Sequence, residues 1–231
     1  MSRHSSKARA ILVWNIPARI CHWGFSVSLL GALFFGFYTD PESDAFKLHM
    51  LCGLASCWFV FVRILLGFFG GRFLRWTDCF YRLSDTARYL VDALRWRRVE
   101  FAGLNPGSAA FAAVIYCATP FLVWTGFVLE LADSWHVWVA WVSVLLIVTH
   151  LLGLALHALR HRALTPFAMI HGKVSGVKGE GLSHNAWPAG VVLAALSLGL
   201  GWLMFRCFDF NSATLRLPLI PEIGMPIMQK G

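Results

Sequence analysis

SWHVWVAWVSVLLIVTHLLGLALHALR, residues 134–160, carries three histidines through an otherwise apolar run. As an α-helix it would be about 40 Å long, more than the roughly 30 Å thickness of a bilayer's hydrocarbon core. The stretch reads as a membrane span, and ionisable side chains inside a span are costly and functional by default. His136 and His150 stand fourteen residues apart. That spacing gives a rise of about 21 Å and just under four turns, so both side chains point to nearly one face at two depths. His157, seven residues further on, shares the face of His150.

Four more runs of the chain have the length and apolarity of a span: roughly Ile16 to Tyr38, Lys47 to Gly70, Ser108 to Leu129 (with Pro120 as a kink site) and Ala186 to Phe205. The whole chain of 231 residues is 58% hydrophobic and 14% charged, well away from the balance of a soluble domain. The net charge of +8 suits cytoplasmic loops rather than nucleic acid. The six cysteines show no CxxC or CxxCH spacing, which argues against a zinc site, a thioredoxin motif or covalent haem attachment. Pro17, Arg19 and His22 interrupt the first apolar run and argue against a cleavable signal peptide. Pro17 suits a first helical turn.

The loops alternate in charge. Arg3, Lys7 and Arg9 precede the first span, and TDPESDAF after it is acidic. The second loop holds Arg72, Arg75, Arg82, Arg88, Arg95, Arg97 and Arg98, the third is the acidic ELADSW, and the fourth holds Arg162, Lys173 and Lys178. The positive-inside rule then places the N-terminus in the cytoplasm and the C-terminal tail, 209–231, in the periplasm. Within the second loop Leu83, Ala87, Leu90, Val91 and Leu94 recur at helical spacing among arginines, the pattern of an amphipathic helix lying on the inner leaflet.

This topology gives the histidines partners. His49, near the outer start of the second span, lies at the depth of His136, and His22, near the cytoplasmic start of the first, lies nearer the depth of His150. Two imidazoles from facing helices suit clamping a haem iron from both sides, and a bis-histidine iron carries electrons rather than binding oxygen. A hydrogen bond between helices is the plainer reading of any one of these histidines alone. His157, near the inner interface, suits a haem propionate or a snorkelling role. Arg63, deep in the second span and fourteen residues after His49, suits a propionate or snorkels to the interface. Arg19, a turn before His22, suits either a propionate or a positive-inside anchor. Gly53, Gly67 and Gly126 fit the approach of a flat macrocycle or ordinary small-residue helix packing.

Several stretches together resemble the prokaryotic cytochrome b561 family, in particular its nickel-hydrogenase-type cytochrome b subunits. VWNIPARICHW (13–23) resembles the family opening VWDxPxRxxHW, and KLHMLCG…VRILLGFFG resembles HxxxG…RxxWGF. LNPGS resembles HNPLG, WTGF resembles the TG ending the third span, AMIHGK resembles MxxGR/K, and His136 with His150 match the histidine pair of the fourth span. Asn15 and Leu104 depart from the aspartate and histidine common at those places. The resemblance covers roughly Val13 to Val174. It implies an all-α integral membrane bundle over 1–208, with a four-helix haem-binding core and here a fifth transmembrane helix. It also implies two b haems, with His22 and His150 on the inner iron and His49 and His136 on the outer.

The function that follows is a dihaem cytochrome of a bacterial inner membrane. It would move electrons between the quinone pool and a partner, either a periplasmic c-type cytochrome or a membrane-attached dehydrogenase or hydrogenase. The protein provides the ligands and the cofactor provides the redox chemistry. Two alternatives stand beside it. One is a self-sufficient superoxide:quinone oxidoreductase. The other is a haemless membrane anchor or transporter with proton-relay histidines.

Overall fold

The computed structural model describes residues 10–97, 99, 101, 103–128, 133–161, 167–174, 181–210, 214–215 and 223–224. Arg3, Lys7, Arg9, Arg98, Arg162 and Lys178, and residues 130–132 of the acidic third loop, lie outside these.

Three of the long helices, α1, α2 and α5, start where a short polar side chain takes an orphan backbone N–H. Asn15 Oδ1 accepts from Ala18 N at 3.2 Å and opens α1, Ile16–Tyr38, with Pro17 in its first turn. Asparagine thus does the capping work an aspartate would do there. Ser43 accepts from Phe46 N at 3.1 Å and starts α2, Asp44–Phe69. That is three residues before the expected Lys47, because Asp44 and Lys47, 2.7 Å apart, extend the helix toward its cap. After the short α3, Trp76–Cys79, comes α4, Leu83–Leu94, whose Leu83, Leu90, Val91 and Leu94 are exposed. Asn105 Oδ1 accepts from Ser108 N at 2.8 Å, which opens α5, Pro106–Val128, an uninterrupted helix with Pro120 inside it. The NP of LNPGS is therefore a cap followed by a first-turn proline. Leu104 contributes its carbonyl to the Tyr81 hydroxyl at 2.6 Å and packs its side chain below α1.

Helix α6 runs Asp133–His161, a little beyond both ends of the span expected from sequence, and α7 is Ala168–His171. His161 and His171 end these two helices. Helix α8, Trp187–Cys207, is the last. Helices α1, α2, α5, α6 and α8 are long and apolar enough to cross a membrane. Phe25, Leu29 and Leu33 of α1 meet Val60 of α2, Ile115 and Leu122 of α5 and Ala140 of α6 in one buried cluster. Helix α8 lies outside that cluster. It seats Gly190 against Ile16 and Ile20 of α1, and Ser197 accepts from Trp58 Nε1 at 3.0 Å. Large apolar side chains such as Leu30, Phe34, Leu145, Leu152 and Leu198 face outward, as lipid-facing positions must.

Both ends of the bundle are closed. At the His22 end, β1 (Ile11–Leu12) pairs antiparallel with β2 (Lys173–Val174), Ile11 opposite Val174. Val13 N and Trp14 N both donate to Gly172 O, at 2.9 and 3.0 Å. Arg19 Nη1 donates to Ile170 O at 2.6 Å and Trp23 Nε1 to Met169 O at 3.0 Å. VWNIPARICHW and AMIHGK, some 150 residues apart in the chain, are therefore two halves of one contact. Val13, Trp14, Phe73, Leu74, Ala168 and Val174 fill it. Arg160, buried to 5% exposure, ties α6 to α4 through the Tyr89 hydroxyl and Ala93 O.

At the His49 end the tail forms a small sheet, in the order β3 (Phe208–Asp209), β4 (Thr214–Leu215), β5 (Ile223–Gly224). Phe208 and Leu215 pack on Met50 of α2, and Lys47 Nζ donates to Phe210 O. The sequence gives this tail no readable pattern, since two-residue strands leave no alternation to detect.

Gly172 has φ +81°, and a Cβ there would stand 2.5 Å from Trp14 O. Gly172→Ala should cost about 1–2 kcal/mol for the left-handed backbone alone, with the clash added. The measurement is the thermal unfolding midpoint of the purified protein in detergent, which should fall relative to wild type.

Candidate haem site

Two of the four expected histidines meet directly. His49 enters from the first turns of α2 and His136 from the first turn of α6, with ring centres 5.8 Å apart and planes at 70°. Metal–imidazole bonds are about 2 Å long, so two ring nitrogens sharing one metal stand about 4 Å apart. The observed separation of ring centres is of that order with ring radii added.

The protein fixes one nitrogen of each ring. His49 Nδ1 lies 2.7 Å from Ala32 O. A carbonyl only accepts, so Nδ1 must carry the proton and Nε2 keeps its lone pair. Gly36 makes this approach possible. A Cβ at Gly36 would stand 2.7 Å from His49 Nδ1 and 2.9 Å from its Cε1. His136 Nδ1 lies 3.0 Å from Thr125 Oγ1 of α5. A protonated Nδ1 held by an outer acceptor is the usual arrangement behind a metal-bound imidazole.

Beside the pair, a small cavity of about 50 Å³ is lined by His49, Gly53, Ser56, Thr119, Gly126 and His136. Its hydroxyls are internally satisfied: Ser56 donates to Gly53 O at 2.7 Å and Thr119 to Ile115 O at 2.8 Å. Gly53 and Gly126 leave its wall flat, whereas Gly67 serves packing, with the Trp76 indole in the space a Cβ would take. Among the described residues no three His, Cys, Asp or Glu side chains gather as a metal cluster. Two imidazoles against a slot fit a haem, whose ring brings its own four nitrogens to the iron.

The second pair sits deeper toward the other end. His150 of α6 lies near enough to His22 of α1 to act on it electrostatically. The Phe111 ring of α5 stacks on His150 with centres 4.2 Å apart and planes at 11°, and Trp23 meets His22 edge-on at 5.6 Å. His157 is half-buried on α6.

Arg63 turns from α2 toward the connection that follows it. Its Nη1 donates to Leu74 O at 3.1 Å, its Nη2 to Cys79 Sγ at 3.3 Å, and its guanidinium covers the Trp76 ring at 4.9 Å. Burial pushes the Cys79 thiol up from its ordinary pKa, against the pull of Arg63, so the sulfur meets the guanidinium as a neutral thiol. The ion pairs among the described residues are Lys47–Asp44 and Arg97–Asp92. The charge of Arg63 therefore faces dipoles and no carboxylate there, and it reaches Cys21 of α1 and Tyr116 of α5 electrostatically. Arg19 Nε is buried without a hydrogen-bond partner among the described residues.

Gly36, Ala32 and Thr125 escape a reading of the residues one by one. Gly36 and Ala32 are small residues in an apolar helix. Thr125 shows only as part of WTGF, eleven residues before His136.

The model of the prokaryotic cytochrome b561 family matches residues 13–172 of the chain. No curated protein and no solved structure matches it significantly. The matched segment contains all four of these histidines, the Val13 and Trp14 amides with their acceptor Gly172 O, and the four helices of the buried core. The chain belongs to the prokaryotic cytochrome b561 family of membrane b-type haem electron-transfer proteins.

Proposed function

We propose that this cytochrome holds two b haems, one toward each end of the bundle. Electrons pass through them across a bacterial inner membrane, between quinone and a redox partner. That partner is a periplasmic c-type cytochrome or a membrane-attached dehydrogenase or hydrogenase. The observation that carries the reading is the His49–His136 pair, each ring held at Nδ1 and both lining one cavity. When bound, each haem would supply one-electron redox chemistry.

The residues divide the remaining work. His49 and His136 ligate the outer iron, and His22 and His150 the inner one. Ala32 and Gly36 hold the His49 ring at a set angle. Arg63, Arg19 and His157 meet the propionates of the inner haem. The support for Arg63 is a guanidinium without a carboxylate among the described residues, and for Arg19 a buried Nε without an acceptor among them. Orientation rests on charge. Arg72, Arg75, Arg82, Arg88, Arg95 and Arg97 lie on the connections at the His22 end. Asp40, Glu42 and Asp44 lie between α1 and α2 at the other. The positive-inside rule puts the N-terminus in the cytoplasm and the tail in the periplasm.

The deciding experiment is a haem count by pyridine haemochrome on purified protein. Wild type should carry two haems per chain. His49→Ala and His136→Ala should each lose the same haem, told apart by its midpoint potential, and His22→Ala and His150→Ala the other. Protein that purifies folded and without a haem spectrum would overturn the reading. Gly36→Ala should push the His49 ring off Ala32 O and reduce the count toward one, with His22 and His150 still loaded. Arg63→Gln should lower the midpoint of the inner haem in a redox titration, because losing a nearby positive charge favours the ferric state. Arg63→Lys should recover most of that shift.

A further inference from the structure

His49 and His136 differ in what holds their outer nitrogens. Ala32 O belongs to the backbone of α1 and no side-chain substitution removes it. Thr125 Oγ1 is a side-chain atom with one proton of its own. It lies 3.0 Å from Phe121 O, 3.0 Å from Leu122 O and 3.0 Å from His136 Nδ1. Both carbonyls can only accept, and with the hydroxyl proton on one of them an oxygen lone pair faces His136, whose Nδ1–H then donates. The opposite arrangement, with the hydroxyl donating to Nδ1, would put the imidazole proton on Nε2 and abolish ligation. Thr125 is 2% exposed, so no bulk water substitutes for it.

We propose that Thr125 is a positioning residue that selects the metal-binding tautomer of His136 and sets the redox potential of the outer haem. The proposal rests on the assignment of His49 and His136 as axial ligands. A donor hydrogen bond from Nδ1–H makes the imidazole a more basic ligand, and a more basic ligand stabilises ferric over ferrous iron. Thr125 thereby holds the outer haem at a lower potential than an unassisted histidine would. The flanking Gly126 lines the cavity, so the Thr-Gly pair of WTGF combines an acceptor for the ligand with a flat wall for the macrocycle.

The test is a spectroelectrochemical titration of the haem-loaded protein, with low-temperature EPR of the ferric low-spin signals, on Thr125→Val, Thr125→Ser and His136→Ala. Valine keeps the shape and removes the acceptor. Serine keeps the hydroxyl. Thr125→Val should retain two haems and raise the potential of one, the haem missing from His136→Ala. A tenfold change in ferric preference, the low end for outer-shell partners, is about 59 mV for one electron. The other haem should not move, and Thr125→Ser should titrate like wild type. If Thr125→Val loses the outer haem, Thr125→Ser must keep it at the wild-type potential. An unshifted potential in Thr125→Val, or an equal shift in Thr125→Ser, overturns the inference and leaves the ligand assignment standing. If His136→Ala keeps both haems, the ligand assignment fails and the inference with it.

Discussion

An imidazole at membrane depth has two nitrogens and no water. One nitrogen must be answered by the protein, and that answer decides what the other can do. In this chain the answers come from helices other than the ones that carry the rings. Ala32 of α1 answers His49 of α2, and Thr125 of α5 answers His136 of α6. The four core helices are thus tied in two pairs by the histidines themselves. Gly36, the seating of α1 against α2 and the flat cavity wall all follow from the space those two rings occupy.

Much of this was legible in the chain. The fourteen-residue step from His136 to His150 gives one face and two depths, because helical geometry is fixed by the backbone. The alternation of arginine-rich and acidic connections sets which histidines share a level. Leu83 to Leu94 reads as an amphipathic helix, and α4 covers that range with its leucines exposed. What could not be read is whatever depends on contact between distant segments. Nothing local distinguishes Gly36 from other small residues of α1; its role appears only when His49 is set against it. Arg160 looks like the end of a span, yet it is buried against α4 by partners more than sixty residues away. The start of α2 shifts because a serine cap outweighs the hydropathy boundary.

The same distinction separates the two arginines. In sequence Arg63 and Arg19 are both cations within apolar spans, one deep in the second and one in the opening turns of the first. In the structure Arg63 is engaged by a carbonyl, a thiol and an indole of the connection after α2, while Arg19 reaches across to Ile170 O within α7. Both guanidiniums lie toward the His22 end of the bundle, where backbone carbonyls and one sulfur take some of their donors. That arrangement suits a cation meant to act at a distance, since a close carboxylate would cancel its field.

The closure of residues 11–14 onto 172–174 also constrains the order in which the protein can be made. Domains emerge from the N-terminus first, so α1 enters the membrane long before its partner strand exists. The opening segment has to wait through the synthesis of α2, α4, α5 and α6 before Gly172 can accept its two amides. Until then His22 stands on a helix whose lower end is unfastened, and His150 has not been translated for most of that interval. His22 and His150 therefore lie toward the end of the core that is fastened last. A chain stopped short of residue 172 would lack the acceptor for the Val13 and Trp14 amides and be left open at that end, although His49 and His136 would both be present.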